Sequence, residues 1–518
     1  MGDSTDDHEA TAPGETVSEA ERDALVTISH GAVVTSGGVS AQRALVAAVE
    51  FALARGLGPV AYGVYALAWR IAQLLSRLVT FGSVPTLQRY LPAADARRRS
   101  RVTGLAYVTT AGVGLLITAG VWLAAPRLNA ATVDHPSFPA AMRLFGAVVV
   151  LVGLVMVYAA TFRADGSARG EVLFNKLLRP AVRLVGALTA LALGYSVVGV
   201  AGAYAASMLV LVVLGFPLTA RVTGVTPTLR GLRRDARRFY DHAAPVAMSS
   251  FGKVFQNRAD ILLVGALLTA VAAGVYNVVL VLVSIAWIPL LSFNQLLPPV
   301  ASRLHAAGDI DTLNAVYSSV TRLIVTTVVP ILAVELVFGR DLLALFGPTY
   351  TRGYGPLAVY LAGVFVGSAV GATGWLLMMT DHQYARMALD WLLAVLNVAL
   401  TYVFVVEFKL VGAALGTSLA IAVQNALQVL LLRRFEGLWP FDATFLRPLA
   451  AGAVMAAAML GVRSLLVDGS LAIAAGVLVG LPSYLGALSV LGVDPRDRLV
   501  VRELATRYRN TIADAVRR

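Results

Sequence analysis

Residues 56–101 read GLGPVAYGVYALAWRIAQLLSRLVTFGSVPTLQRYLPAADARRRSR. The segment begins with a Gly/Pro loop, continues as an apolar helix that carries Arg70 and Arg77, and ends in an arginine-rich exit. A weaker copy begins 211 residues later, where residues 272–276 (AAGVY) repeat the pattern of residues 61–65 (AYGVY). An internal repeat of so long a period indicates a duplicated helical bundle rather than a solenoid. Two similar halves in a bilayer are the usual construction of a secondary transporter.

The composition of the 518-residue chain is that of a protein embedded in a bilayer. Hydrophobic residues make up 58% of it and charged residues only 14%, whereas soluble domains carry about 25% charged residues. Its mean hydropathy is +0.75, and apolar segments of roughly 18 residues or more, each able to cross a bilayer as a helix, follow one another. The sequence therefore predicts an all-α polytopic membrane protein. It contains no cysteine, which excludes disulfides and thiolate metal sites.

The apolar segments predict about 14 transmembrane helices, arranged as two pseudo-symmetric six-helix lobes plus two C-terminal helices. An even number of spans places both termini on one side, and the arginine clusters at 97–101 and 230–238 indicate that this side is the cytoplasm. The predicted boundaries are a disordered acidic cytoplasmic tail at 1–23, an N-lobe at 24–221, an amphipathic cytoplasmic linker at 222–241, a C-lobe at 242–435, helices 13 and 14 at 436–492, and a basic amphipathic cytoplasmic tail at 493–518.

The formal net charge of +12 is better explained by membrane topology than by a charged ligand. Lys and Arg concentrate in the short loops assigned to the cytoplasm, and this bias is the one that orients membrane proteins. We therefore expect a multi-pass protein of the cell membrane, surrounded by membrane lipids and without a nucleic-acid partner.

Ionisable side chains inside the predicted spans are the candidate functional residues. A charge at that depth costs roughly 2.5–3.5 kcal/mol on insertion scales, so it needs a wet cavity or a partner. The predicted first, second and seventh helices carry the basic residues Arg43, Arg70, Arg77, Lys253 and Arg258. The same helices carry the acidic and polar residues Glu50, Gln73, Gln256, Asn257 and Asp260.

Internal pairing, for example of Arg43 with Glu50 or of Lys253 with Asp260, accounts for part of this set. It does not account for all of it, because five basic residues stand against two acidic ones. The surplus predicts a positively charged cavity and an anionic cargo. Asp260 is the best placed carboxylate for coupling to an ion, and a counter-ion role is the alternative.

The sequence also lacks the motifs of several enzyme classes. It has no phosphate loop of the G-x-x-x-x-G-K-[ST] form and no H-E-x-x-H motif, so neither an ATP-driven pump nor a zinc protease is supported. The predicted outer loops are short, and Asp134-His135 is the only acidic-histidine pair near them. We therefore predict no catalytic residue, no metal site and no cofactor.

Two stretches resemble a known group of transporters. Residues 57–65 (LGPVAYGVY), and the later residues 260–265 (DILLVG) followed by 273–276 (AGVY), are similar to polysaccharide-exporter flippases. These form the Wzx-type branch of the multidrug/oligosaccharidyl-lipid/polysaccharide exporter superfamily. The resemblance covers about residues 24–435, whereas the last two predicted helices match only in number and hydrophobicity.

This resemblance implies two six-helix lobes around a central cavity that opens alternately to each side of the membrane. It implies a cargo of a sugar or oligosaccharide on a polyprenyl phosphate or pyrophosphate, dolichyl in an archaeal host and undecaprenyl in a bacterial one. Basic residues on the first, second and seventh helices line the cavity in such flippases, which corresponds here to Arg43, Arg70, Arg77, Lys253 and Arg258.

The physiological role implied is surface polysaccharide synthesis or protein glycosylation, with glycosyltransferases, an oligosaccharyltransferase or a polymerase of the same pathway as candidate partners. Coupling to H⁺ or Na⁺, the membrane potential, and consumption of cargo outside the cell are the alternative energy sources. A drug or cation antiporter of the same fold is the first alternative function, although it favours intramembrane carboxylates over arginines. A membrane glycan polymerase or ligase is the second.

Overall fold

The computed structural model describes residues 18–165, 170, 172–256, 259–466 and 469–516. Within these ranges it describes all side chains except those at 249–259, 508 and 510–516. Within these ranges the chain forms helices, turns and loops, and no strand. The greater part of the predicted acidic tail at 1–23 lies outside the described residues. The described chain is therefore all-helical, as the composition predicts.

The helices follow the apolar segments of the sequence. The α-helices are α1 Glu19–Leu75, α2 Ser83–Tyr90, α3 Ala96–Ala130, α4 Phe138–Ala164, α5 Arg179–Ala192, α6 Val197–Thr223, α7 Arg233–Gln256, α8 Ala259–Leu267, α9 Ala270–Ala286, α10 Ile288–Phe293, α11 Leu297–Ala306, α12 Ile310–Val337, α13 Gly339–Phe346, α14 Tyr354–Ala369, α15 Thr373–Met379, α16 Gln383–Glu436, α17 Arg447–Leu465, α18 Gly469–Leu491 and α19 Pro495–Val516. A π-helix at Val172–Leu178 precedes α5, and a 3₁₀-helix at Pro348–Gly353 precedes α14. Among the described residues, nine helical segments are long and apolar enough to cross a bilayer.

Two of the longest helices contain a sharp break that separates two predicted spans. In α1 the break is at Gly58, whose φ of 76° glycine adopts without steric cost. In α16 it is at Lys409, where a φ of 55° is uncommon for a residue with a side chain. Each helix is therefore two consecutive segments joined by a tight turn, and the count of 14 spans with cytoplasmic termini stays a prediction.

Three predicted boundaries are corrected by the structure. The second span, expected at 60–84, ends as a helix at Leu75, and turns cover residues 76–82 before α2 begins. The tenth, expected at 354–379, is interrupted near Gly371, whose φ is 66°. The linker predicted at 222–241 becomes α-helical only at Arg233, from where α7 runs on into the predicted seventh span.

The two copies of the repeated motif pack against each other. A Cβ atom on Gly63 would lie 1.8 Å from the carbonyl oxygen of Ala270 and 3.2 Å from the backbone nitrogen of Gly274. A Cβ atom on Gly274 would in turn lie 3.1 Å from the carbonyl oxygen of Pro59. Glycine at both positions lets α1 and α9 approach to backbone contact, as small residues do between membrane helices. The sequence repeat therefore forms the contact between the two halves.

At the N-terminal end of α1, the C-terminal helix α19 contacts the first turn of that helix. Arg496 pairs with Glu21 at 2.6 Å, and Arg22 pairs with Glu503. Val500 of α19 is buried in the main apolar core. The predicted basic tail thus packs on the protein as well as presenting a charged face to its surroundings.

A single buried arginine joins α19 to the C-terminal half. Arg322 of α12 is 2% exposed and pairs with Asp494 at 3.1 Å and Asp497 at 2.9 Å. It also pairs with Asp442, in the loop before α17. Burial raises the pKa of Asp497, and the Arg322 guanidinium opposes this shift. This one side chain therefore connects α12, the loop before α17 and the start of α19.

Substitution Gly63→Val tests the contact between the two motif copies. We expect it to lower stability by about 1–3 kcal/mol, because the added side chain meets backbone atoms that cannot rotate away. The measurement is thermal unfolding of the purified protein in detergent. Gly112→Ala, in α3 with open space around it, is the matched control, and equal melting temperatures for both variants would contradict the prediction.

Substitution Arg322→Ala tests the buried arginine. It leaves three aspartates together without their shared cation, so we expect a loss of about 3–5 kcal/mol in stability. Thermal unfolding measures this loss, and Arg463→Ala, which removes a more exposed arginine paired with Asp341, should cost about 1 kcal/mol or less. An Arg322 variant as stable as the Arg463 variant would argue against the role given to this cluster.

Candidate substrate-binding cavity

Two adjoining cavities lie between α1 and its neighbours, with volumes of about 140 Å³ and 290 Å³. Both are lined by the same five residues, so we treat them as one site and name it the cationic cavity. The shared residues are Arg43, Trp69, Arg70, Gln73 and Arg179. The first part also touches Leu280 and Ser284 of α9, which brings the second half of the chain to the cavity.

Five of the residues singled out in the sequence lie in this cavity. Arg43, Glu50, Arg70 and Gln73 line its first part, and Arg77 lines the second. Arg77 reaches the cavity from the turn that follows the end of α1, and not from a helix face as expected. The structure thus brings these side chains together, and their role in binding stays a prediction.

The predicted residues of the seventh span are described only in part. The side chains of Lys253, Gln256, Asn257 and Arg258 lie outside the described residues. Asp260 is described and is 2% exposed, with its carboxylate accepting hydrogen bonds from the Tyr276 hydroxyl at 3.0 Å and the Ile261 backbone at 2.9 Å. Tyr276 belongs to the second copy of the repeated motif. Asp260 therefore holds the second copy of the motif in place through Tyr276, and its part in ion coupling stays a prediction.

Glu50 is paired with an arginine other than the expected one. Its carboxylate lies 2.8 Å from Arg183, whereas the sequence suggested Arg43. The Tyr62 hydroxyl donates to it at 2.8 Å and the Asn277 amide at 3.2 Å. Glu50 is 1% exposed, so these three donors compensate for the water that the carboxylate has lost.

Arg183 is held in place by two aromatic side chains as well as by Glu50. Its Nε donates to the Tyr65 hydroxyl at 3.0 Å, and its guanidinium lies over the Trp69 ring at 4.4 Å from the centroid. Trp69 in turn packs edge-on against Tyr204 at 5.4 Å. A cation over a desolvated aromatic face is stabilised by about 2 kcal/mol, which adds to the ion pair with Glu50.

Arg70 connects the two halves of the chain at the cavity. Its Nε donates to the Asn277 side-chain oxygen at 2.8 Å, and its Nη1 donates to Gln73 at 3.0 Å. Asn277 lies on α9, in the second half. One amide from the second half therefore orients a guanidinium of the first half toward the cavity.

The charge of the lining is strongly positive. Among the described lining residues there are five arginines, at positions 43, 70, 77, 179 and 183, and one carboxylate, Glu50. Five minus one leaves an excess of four positive charges. Guanidinium groups bind carboxylate and phosphate oxygens through paired hydrogen bonds. The described lining therefore favours an anion over a cation.

Arg179 and Arg183 were not singled out in the sequence. They lie four residues apart, on one face of α5, inside the predicted fifth span at 173–193. The rule that selected Arg43 and Arg70, an ionisable residue inside a span, applies to them equally. Asn277, a polar residue inside the predicted eighth span, could have been selected by the same rule.

The Glu50–Arg183 pair predicts a specific pattern of stability. Arg183→Gln alone leaves a buried carboxylate without its cation, so we expect a loss of about 3–5 kcal/mol. The double variant with Glu50→Gln removes both charges, and we expect it to recover a large part of that loss. Thermal unfolding of the two single variants and the double variant measures the coupling, and additive losses would contradict the pairing.

The comparisons with known proteins agree with this architecture. The fold is similar to that of the lipid II flippase MurJ in an inward-closed conformation, with a TM-score of 0.72 and 12% identity, over 88% of this chain and 98% of that one. It is similar to an inward-facing MATE-family multidrug resistance transporter, with a TM-score of 0.63 and 17% identity, over 76% of this chain and 94% of that one. A transporter of the MOP superfamily from Pyrococcus furiosus aligns with a TM-score of 0.53 and 17% identity, over 82% and 99%. No curated protein matches the sequence.

The family is shown by the sequence itself. A family model described as polysaccharide biosynthesis protein matches residues 52–352, more than half of the chain. The match includes the first copy of the repeated motif, the second copy, and all of the cationic cavity except the contributions of the first part of α1. The chain therefore belongs to the polysaccharide biosynthesis protein family.

Proposed function

We propose that the protein flips a sugar or oligosaccharide linked to a polyprenyl phosphate or pyrophosphate, on a dolichyl or undecaprenyl carrier, across the cell membrane. The observation that carries this proposal is the excess of four positive charges among the described residues that line the cationic cavity. A phosphate or pyrophosphate is the one charged group common to all such cargo, and arginines recognise it well. The family and the fold support the same class of activity.

The packing of α1 leaves room for the lipid part of this cargo. None of the residues 33–48 of α1 is buried, although the helix is well packed on either side of this stretch. Sixteen residues of helix span about 24 Å, most of the hydrocarbon thickness of about 30 Å. A polyprenyl chain can therefore remain in the bilayer beside α1 while its phosphate enters the cavity near Arg43.

Alternating access requires the two halves to separate on one side while they close on the other. The contact between Gly63 and Gly274 closes the end of the molecule near the Gly58 turn. In the alternative state this contact opens and the cationic cavity faces the other leaflet. Coupling of this movement to H⁺ or Na⁺ remains a prediction, with Asp260 as the candidate carboxylate.

The antiporter alternative has less support from the geometry. Similarity to MATE-family transporters fits it, but a cation-transporting site needs available carboxylates. The one carboxylate lining the described cavity, Glu50, is already paired with Arg183. An organic cation would therefore meet a repulsive surface here.

A complementation assay tests the proposal. In a strain lacking the gene we expect lipid-linked glycan to accumulate on the inner leaflet, and wild-type protein to relieve this. Arg70→Ala and Arg179→Ala should fail to do so, because each loses charge-assisted hydrogen bonds worth about 1.5–3 kcal/mol, which corresponds to about ten- to hundredfold weaker binding. Arg230→Ala, at an exposed position of the predicted linker at 222–241, is the control and should complement fully.

Normal surface glycans in the deletion strain, in a host with no second flippase, would refute the flippase function. Full complementation by Arg70→Ala and Arg179→Ala would keep the function and remove the cationic cavity from it. The leaflet position of the glycolipid is measured by its accessibility to a membrane-impermeant lectin in right-side-out vesicles.

A further inference from the structure

A second polar cavity lies in the C-terminal half, with a volume of about 250 Å³. Helices α10, α14, α15 and α16 surround it, together with Trp287 at the junction of α9 and α10. We name it the amide pocket, and the lining residues that matter here are Trp287, Asn294, Thr373, Trp375, Arg386 and Gln428.

The amide pocket follows the cationic cavity along the chain. Leu280 and Ser284 of α9 line the cationic cavity, and Trp287, the residue directly after the end of α9, lines the amide pocket. Ser284 and Trp287 are three residues apart, which is less than one helical turn. We therefore expect one elongated ligand to reach both sites.

Two buried polar atoms in the amide pocket have no hydrogen-bond partner among the described residues. Thr373 is 1% exposed, and its hydroxyl makes no hydrogen bond in the described chain. The side-chain oxygen of Asn294 is likewise buried without a partner. Buried polar atoms are nearly always satisfied, so these two indicate a polar occupant. The side chain of Gln428, which is 3% exposed, lines the same space.

The pocket carries no net charge that would select an ion. Arg386 pairs with Asp390 at 2.9 Å, and the Gln424 amide donates to the same carboxylate at 2.9 Å. Arg386 occupies the space beside Gly374, where a Cβ atom would lie 1.2 Å from its Nη1. The available groups are thus amides, a hydroxyl and two indole rings, which suit a neutral ligand that both donates and accepts hydrogen bonds and presents apolar C–H faces.

We propose that the amide pocket binds a sugar residue of the cargo while the cationic cavity holds its phosphate. This inference rests on the proposed function as a flippase for lipid-linked glycan. The arginines recognise the carrier phosphate, which is the same for any glycan, and the amide pocket selects the sugar. Since Ser284 of the cationic cavity and Trp287 of the amide pocket are only three residues apart, the bound phosphate holds the sugar at a high local concentration beside the amide pocket.

Two substitutions test the amide pocket without disturbing the fold. Thr373→Val and Gln428→Leu each replace a polar group that lines the pocket with an apolar group of similar shape. Such a change is neutral or stabilising for the folded protein, so melting temperatures should stay the same or rise. Thr110→Val is the matched control, because Thr110 is also fully buried with an unpartnered hydroxyl but lies on α3, in the first half.

Binding is measured in detergent with two probes. One is farnesyl pyrophosphate, which carries no sugar, and the other is the lipid-linked glycan extracted from membranes of the deletion strain. We expect wild-type protein and Thr110→Val to bind the glycolipid more tightly than farnesyl pyrophosphate. Thr373→Val and Gln428→Leu should each bind the glycolipid about three- to tenfold more weakly, with binding of farnesyl pyrophosphate unchanged.

Two results would overturn the inference. The first is an unchanged affinity of both pocket variants for the glycolipid, which would make the amide pocket a hydrated cavity only. The second is an equal affinity of the wild-type protein for the two probes. Failure of the proposed function gives a different result, in which wild-type protein binds neither probe, or binds both independently of Arg70 and Arg179.

Discussion

Glu50 and Arg183 form an ion pair inside a membrane protein, and the other groups of the cationic cavity are arranged around it. Removing one member from such a pair costs about 3–5 kcal/mol, so the pair fixes α1 against α5. The Asn277 amide completes it from the second half, donating to Glu50 at 3.2 Å and to Tyr62 at 2.7 Å. Its oxygen accepts from Arg70. The opposite orientation of this amide would place its oxygen against a carboxylate, so the network permits one orientation only.

The strong and weak interactions are distributed in a way that suits alternating access. The ion pair between Glu50 and Arg183 lies within the first half and is 2.8 Å long and buried. Across the cavity, the two halves are joined by the neutral amide of Asn277 and by glycine contacts at Gly63 and Gly274. Hydrogen bonds of this kind contribute about 0.5–3 kcal/mol each. Parting of the halves at the cavity would therefore leave the Glu50–Arg183 pair intact. The pair between Arg496 and Glu21 joins α19 to α1 at the other end of α1.

The sequence predicts the class of fold because hydrophobicity and charge bias act locally. Apolar length gives the spans, and the repeat around Gly63 and Gly274 identifies the two halves. The break at Gly58 follows from glycine before proline, and that at Lys409 falls between two predicted spans. The end of the helix at Leu75 is not readable from sequence, since residues 76–82 contain no proline and the apolar residues Leu78, Val79 and Phe81 continue the predicted span. In the structure, Gly82 at the end of the turn packs against the backbone of Ala243.

The candidate site is predictable in part for the same reason. A charge in a span is visible from sequence, so Arg43, Arg70 and Glu50 could be selected. The partner of Glu50 could not, because Arg183 is 133 residues away and only the packing of α5 on α1 brings the two together. Which side chains form pairs depends on the tertiary packing of the helices. The number of arginines in the spans therefore predicts the sign of the cavity's net charge, and only the structure shows which arginine pairs with Glu50.

The two halves of the molecule each contain a copy of one motif but present different chemistry to the space between them. Among the described lining residues, the first half contributes guanidinium groups, four in excess of its one carboxylate. The second half contributes Asn277, Ser284 and the amide pocket, where Arg386 is paired with Asp390. An amphiphile with a charged phosphate next to a neutral glycan has the same asymmetry. Under the proposed function, the first half would hold the invariant phosphate and the second half would contact the glycan. Substitutions in the C-terminal half alone would then change the transported sugar without altering the arginines of the cationic cavity.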